Sequence, residues 1–405
     1  MEKRLAARSS YGQSSRIGRV IAILCVGILV SGLSAKAADG VASVVLVRTP
    51  SQGVQPQAIV DPAGVIHLVY LGGEAGASDV FYTTMEPGES AFGPSIRVNS
   101  EPGAAIAMGT VRGAHLAFGR DGRIHVAWNG STKARPENPN GGSPMLYARS
   151  DSARTKFEPQ RNVMIRSSAL DGGGTIAADA RGHVLITWHG RLKGTPEGEK
   201  ERRMLVARSY DDGVTFDPEE PAWSQETGAC ACCGTGARAD TDGSFTLIYR
   251  SAHTTMDRDL YILTSRDQGK TFHGRQLDPW KVGMCPMSTI ALTEGADGLI
   301  AAWETQGEVF MAKIDRKTGQ AKEPTHPSGL SGRRKHPAVE TNLRGECLLA
   351  WTEDTSFTHG GSLYWRLFDS SGKPTSTSGR VADGIPHYSH PAVVARKDGG
   401  FLIIH

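Results

Sequence analysis

Gly243-Ser-Phe-Thr-Leu-Ile-Tyr249 opens on a turn glycine and reaches a bulky aromatic six positions later, and the chain repeats this pattern from end to end. Gly64/Tyr70, Gly122/Trp128, Gly182/Trp188 and Gly345/Trp351 keep the spacing; Gly298/Trp303 is one residue shorter, and Gly399/His405 ends the sequence. Short alternating strands that recur every roughly 47 to 61 residues, separated by Gly/Asp turns, are the mark of a β-propeller. Each copy is one blade, so the inner-hairpin count predicts an all-β ring of seven blades.

The flanking segments complete a blade. A strand of small residues precedes each glycine: Gln57 to Val60, His115 to Phe118, Thr175 to Ala178, Ala237 to Ala239, Thr289 to Leu292, Pro337 to Glu340 and Pro391 to Ala395. Small side chains suit strand A, the crowded strand nearest the axis, and the aromatic then lies on strand B. A third alternating segment, strand C, follows in six copies: Val80 to Thr83, Met145 to Arg149, Met204 to Arg208, Leu260 to Thr264, Val309 to Lys313 and Leu363 to Leu367. The seventh copy lacks one, and Ala42 to Val47 is the expected substitute, closing the ring by pairing both ends of the chain.

The first 37 of the 405 residues carry Lys3, Arg4, Arg8, Arg16 and Arg19, an apolar run from Val20 to Leu33 and a small-residue site at Ala35-Lys-Ala37. That arrangement reads as a secretory signal, which places the mature chain in the periplasm or outside the cell and leaves no transmembrane segment after cleavage, with an uncleaved anchor as the alternative. Residues 38–405 then form a single propeller domain. Without the signal the charge balance moves from 45 Lys/Arg against 42 Asp/Glu to 39 against 41. A near-neutral chain without long basic runs is not a nucleic-acid binder.

After strand C two turns share one spacing: Ser209-Tyr-Asp211-Asp-Gly213-Val-Thr215-Phe216 and Ser265-Arg-Asp267-Gln-Gly269-Lys-Thr271-Phe272, with Ser150 to Phe157 a worn copy. The aspartate accepts N–H groups of its own turn, glycine supplies positive φ, and the aromatic anchors the turn, so these residues are read as structural. The turns resemble the Asp boxes of the sialidase (neuraminidase, BNR-repeat) superfamily. That resemblance implies a propeller, usually of six blades, which stands as the alternative ring.

In a four-stranded meander the Asp boxes lie on one face, while the B–C loops and the connectors entering strand A lie on the other. Those connectors hold unusual chemistry: Cys230-Ala-Cys232-Cys233 in the fourth, Cys285-Pro-Met287 in the fifth, His336 in the sixth and His390 in the seventh. Two readings stay open. An exported chain forms disulfides, most simply Cys232 or Cys233 to Cys285. Alternatively, thiolate, thioether and imidazole groups gather as a soft-metal site for Cu or Zn. Cys347, on a B strand, reads as a small buried thiol.

The resemblance also implies site residues. Tyr388-Ser389, followed by a strand, Asp398-Gly399 and an apolar strand, is similar to the segment that carries the family's tyrosine nucleophile. Gly243 to Ser251 is similar to the strand that ends in a carboxylate-binding arginine, here Arg250. Asp79, in the first B–C loop, falls at the place of the acid/base. The chain departs from the pattern at two positions: Gln55 stands where an arginine of the clamp would be, and Cys232-Cys233-Gly234 stands where the assisting glutamate would be. Glutamine lacks the charge of a bidentate clamp, and a phenol without a base is a poor nucleophile. The expectation is therefore an exported propeller that binds a small molecule, metal or glycan at the channel mouth without ordinary sialidase activity, with a protein partner also compatible. An active exo-α-sialidase-type glycosidase using Tyr388 is the alternative.

Overall fold

The computed structural model describes residues 42–405 except 110, 255, 283–285, 296–297 and 330. The expected signal over 1–37 lies outside the described residues, as does Cys285. Seven sheets are present among the described residues, so the ring has seven blades and the six-bladed alternative is excluded. Strands A and B of the blades are Val54–Val60 with Ile66–Glu74, His115–Phe118 with Ile124–Asn129, Thr175–Ala178 with Val184–Leu192, Gly236–Ala239 with Phe245–Arg250, Ala291–Gly295 with Gly298–Thr305, Arg334–Thr341 with Cys347–Glu353, and Ala392–Ala395 with Phe401–Ile404. Strand C follows at Ala77–Met85, Met145–Arg149, Arg203–Ser209, Leu260–Ser265, Glu308–Ile314 and Gly361–Phe368. Each strand A packs on the next around the ring, and the seventh packs on the first.

The seventh blade takes its outer strand from Val44–Val47, which pairs in parallel with Phe401–Ile404 in the register Val44 to Phe401. The backbone N–H of His405 donates to Val47 (3.0 Å), and that of Thr49 donates to His405 (2.8 Å). Antiparallel hairpins build the other six blades, so this closure is the place where both chain ends share one sheet.

The periodic aromatics explain the interior. Tyr70, Trp128, Trp188, Tyr249, Trp303 and Trp351 are all buried, one in each of the first six blades, filling the wedge where neighbouring sheets diverge; His405 holds the position in the seventh. Each of the six aromatics removes about 150–250 Å² from water. At the axis the small residues of strands A surround a cavity of about 510 Å³, with His115 and His390 in its wall. Among the described residues no helix is long and apolar enough to cross a membrane.

The boxes behave as turn chemistry requires. In the first, Asp211 accepts the Thr215 N–H (2.9 Å) and hydroxyl (2.7 Å), and Ser209 Oγ accepts the Gly213 N–H (2.8 Å). In the second, Asp267 accepts the same two donors of Thr271, and Ser265 accepts the Gly269 N–H. Gly213 has φ 73°, and a Cβ there would meet Tyr147 Oη at 1.9 Å. Phe216 stacks edge-on against Tyr147 of the preceding blade, and Phe272 is buried. The neighbour of the first box aspartate carries a further bond set: Asp212 accepts from the Arg120 N–H (3.0 Å) and Arg123 Nε (2.8 Å) and meets His125 Nε2 at 3.2 Å. Burial opposes its charge, yet His125, the Arg120 N–H and Arg123 hold its pKa down at about 2.

Candidate functional site

The residue directly after the aromatic on strand B points to the other side of the sheet, toward the connectors of the front face. In successive blades it is Asn129, His189, Arg250, Glu304 and Thr352. All are buried and polar, and Asn129 and His189 bond directly to the connector entering the third strand A. Asn129 Oδ1 accepts the Gly174 N–H (3.2 Å), and His189 Nε2 accepts those of Asp171 and Gly172 (both 3.2 Å). The His189 proton is therefore on Nδ1, which has no partner, and burial pushes the pKa of the ring down to about 3. This is a neutral imidazole fixed in one tautomer.

The fourth connector carries the cysteines. Cys230 and Cys233 are buried and Cys232 is half-buried, and their three sulfur atoms lie within 4.8 Å of one another. Cys230 Sγ is 3.5 Å from Cys232 Sγ and 3.4 Å from Cys233 Sγ. Cys232 is in a disulfide whose partner lies outside the described residues, whereas Cys233 is a free thiol. The backbone around them is fixed: the Cys230 N–H donates to the Arg250 carbonyl, the Ala231 N–H to Glu199 Oε1, and the Gly234 N–H to the Ser288 carbonyl (each 2.9 Å). Gly234 and Thr235, next in sequence, line the axial cavity.

Burial alone would push the Cys233 thiol up. The Cys230 thiol donating to it, the Arg250 guanidinium and the N–H groups of Ser288 and Met287 prevail, and its pKa falls to about 6. Donation to that thiolate, together with burial, holds the Cys230 proton in place and raises its pKa well above the ordinary thiol value. Met287, half-buried, has φ 47°, the left-handed turn that aims successive N–H groups at an anion.

Arg250 is buried against this cluster. Its Nη1 donates to the Arg258 carbonyl (2.6 Å) and its Nη2 to the Glu304 carbonyl (2.5 Å), and the guanidinium lies 4.8 Å from the Trp280 ring centre. Each terminal guanidinium nitrogen thus donates one N–H to a backbone carbonyl, which fixes the side chain within the protein. Glu304 is 2 % exposed with Oε2 unpartnered. Burial raises its pKa to about 7 against the pull of Lys335, Ser288 and Arg250. The sequence reading singled out Arg250 but passed over the roles of Asn129, His189, Glu304 and Thr352; the signal was the position after the periodic aromatic in the second to sixth blades.

The remaining expected residues are placed elsewhere on this face. His336 is buried with Nδ1 unpartnered, and its ring centre is 6.2 Å from that of His390. Burial lowers both pKa values, that of His390 to about 4. Among the described residues these imidazoles do not join the cysteines in one ligand group, so the expected convergence of thiols and imidazoles is limited to the thiols. Gln55, at φ 54°, is fully buried: its Nε2 donates to the Ala107 carbonyl (2.5 Å), its Oε1 accepts the Arg112 N–H (3.0 Å), and its own N–H donates to Ser389 Oγ (3.1 Å). It ties the first blade to the second and to the connector of the seventh.

Asp79 lies within strand C of the first blade, not in the B–C loop, because strands B and C extend to a tight turn at 75–76. Its Oδ1 accepts from Asn99 Nδ2 and the Gly103 N–H, both 2.7 Å. Tyr388, at φ 60°, is half-buried, with its ring centre 3.6 Å from that of His387 and 5.7 Å, edge-on, from that of Phe357. No described carboxylate bonds to its hydroxyl. Cys347 is buried with Sγ 3.7 Å from Met311 Sδ, and burial pushes its thiol up to about 12.

No protein-family model matches the chain, and no curated protein matches it in sequence. Solved structures match its fold. A protein of unknown function from Dyadobacter fermentans is 15% identical, over 84% of this chain and 97% of that one, with a TM-score of 0.49. The GH93 α-L-arabinofuranosidase of Fusarium graminearum, in complex with arabinobiose, is 9% identical, over 83% and 94%, with a TM-score of 0.50. Trypanosoma rangeli sialidase, in complex with the inhibitor DANA, is 9% identical, over 78% of this chain and 54% of that one, with a TM-score of 0.49. At such identities the likeness is one of fold, and the fold is a sialidase-like β-propeller.

Proposed function

We propose that this chain is an exported propeller that binds a soft metal ion through Cys230, Cys232 and Cys233 at the channel mouth and does not hydrolyse sialosides. The observation that carries this reading is the packing of three sulfurs within 4.8 Å in a buried, backbone-fixed connector. Thiolates select soft ions. Zn(II) in a closed structural site takes four ligands, one more than the cluster offers, whereas Cu(I) is satisfied by two or three sulfurs. Cu(I) is accordingly the favoured ion, with the thioether of Met287, whose backbone N–H bonds to Cys233, a further soft donor from the next connector. His336 and His390 stand apart from the sulfur group and are read as parts of the channel wall.

Against hydrolysis stand an Arg250 fixed by backbone carbonyls, the neutral Gln55 in place of a clamp cation, and a Tyr388 hydroxyl without a base. A glycan ligand is the second reading, favoured by the Phe357, His387 and Tyr388 group, in which Phe357 is 46% exposed and ring faces can meet a sugar. Because Cys232 is in a disulfide, the test is Cu(I) competition against a chromogenic chelator for the dithiothreitol-reduced wild type and Cys233→Ser. The substitution is expected to weaken binding at least about tenfold, the scale of loss when even supporting residues of a metal site are removed. Wild-type affinity in the variant would contradict the proposal, as would turnover of a fluorogenic sialoside that Tyr388→Phe abolishes.

A further inference from the structure

The three sulfurs are not in one oxidation state. Cys232 is in a disulfide, whereas Cys233, in the same cluster, is a free thiol. The oxidised sulfur is also the accessible one, because Cys232 is half-buried while Cys230 and Cys233 are buried. A disulfide sulfur is a poor metal donor, since the metal ligand is the thiolate. As the chain stands, therefore, the cluster has the geometry of a three-sulfur site but not its full donor set.

We infer that the cluster is a thiol–disulfide exchange centre that accepts electrons from an external dithiol, and that its reduction completes the metal site; this rests on the soft-metal reading above. The thiolate of the dithiol attacks Cys232 Sγ, forming a mixed disulfide and breaking the bond from Cys232 to its partner cysteine, whose sulfur leaves as thiolate and takes a proton. The second thiol of the dithiol, deprotonated, attacks its own sulfur in the mixed disulfide. The dithiol departs as a cyclic disulfide, oxidised by two electrons, and Cys232 is released as a thiolate. Cys232 Sγ then lies beside Cys230 Sγ, at the 3.5 Å already present, in contact with the Cys230–Cys233 pair. The connector need not move, because Arg250, Glu199 and Ser288 hold its backbone through residues 230, 231 and 234.

The experiment uses the full exported protein in two states, as purified and after dithiothreitol treatment and desalting under argon. Alkylation followed by mass mapping reports the state of Cys232, and competition with bathocuproine disulfonate reports Cu(I) affinity. The expected result is that dithiothreitol converts Cys232 to an alkylatable thiol in the folded protein and that the reduced form binds Cu(I) at least about tenfold more tightly. Circular dichroism of both forms excludes unfolding as the cause. In Cys232→Ser the affinity should no longer depend on dithiothreitol. Equal affinity in the two wild-type states overturns the exchange-gated site while leaving the metal reading standing. Absence of Cu(I) binding in both states overturns the two together, and a Cys232 that resists dithiothreitol until the protein unfolds overturns the exchange step alone.

Discussion

The two halves of the channel mouth present opposite situations. On the side of the first and seventh blades, polar groups that could have served a substrate are satisfied by the protein: Gln55 bonds to Ala107, Arg112 and Ser389, and Asp79 bonds to Asn99 and Gly103. On the side of the fourth and fifth blades the balance is incomplete. A thiolate, a guanidinium and a carboxyl group are buried together, and Glu304 Oε2 has no partner. Buried polar atoms left unpaired raise the free energy of the fold, so they persist where something other than stability requires them. The resemblance directed attention to the first side, whereas the physical chemistry of the structure points to the second.

Substitutions can break or sharpen this contrast. The largest effect is expected from Arg250→Leu, which removes the cation facing the Cys233 thiolate and leaves the Arg258 and Glu304 carbonyls without their donor. Breaking one partner of a buried charge pair costs about 3–5 kcal/mol, measurable by urea denaturation, and the Cys233 thiol should titrate higher in an alkylation-rate profile. A loss below about 1 kcal/mol would mean that Arg250 is available for a ligand after all. Gln55→Ala comes next, at about 2–3 kcal/mol, because two buried backbone groups lose their partners; a negligible loss would show that this half is not a closed network.

Glu304→Gln tests the unmet side through pH. The folded pKa of Glu304 is raised, to about 7 from 4.5, so the carboxyl group favours the fold while protonated. Its contribution is complete below pH about 4.5, is lost as pH rises through about 7, and is flat above. The variant should lack that decline and be more stable than wild type at pH 8. The same slope in both proteins would assign the decline to another group. The smallest effect is reserved for Tyr388→Phe, whose hydroxyl bonds to no described residue: a stability change within about 0.5 kcal/mol and unchanged Cu(I) affinity. Loss of either would return Tyr388 to the centre of the account.

The propeller was legible because it is written in repetition. Glycine and aromatic at fixed spacing fixed the hairpins, the missing seventh strand C pointed to closure by Ala42 to Val47, and strands such as His115–Phe118 and Thr175–Ala178 have the bounds read from sequence. The boxes were legible for the same reason, since their bonds run within eight residues. Asp79 was misplaced in a loop because the length of a hairpin depends on pairing that no local motif encodes. Glu199, which holds the cysteine connector from the third blade, was invisible within Glu199-Lys-Glu-Arg-Arg203, a charged loop in which no residue stands out. Arg250 was identified, but its partners are carbonyls, and carbonyl positions belong to the fold rather than to the residue list. The cysteine cluster was readable as a group; that one sulfur is oxidised while Cys233 stays a free thiol required the three-dimensional arrangement.

The central claim is that the thiol connector, not the Tyr388 pocket, is the working centre. Native mass spectrometry of the dithiol-reduced protein, equilibrated with Cu(I) and compared with its denatured mass, tests it most directly. The account predicts a native excess of one copper, removed by denaturation and absent from Cys233→Ser. A native mass equal to the denatured mass, or a copper adduct that Cys233→Ser retains, would contradict it.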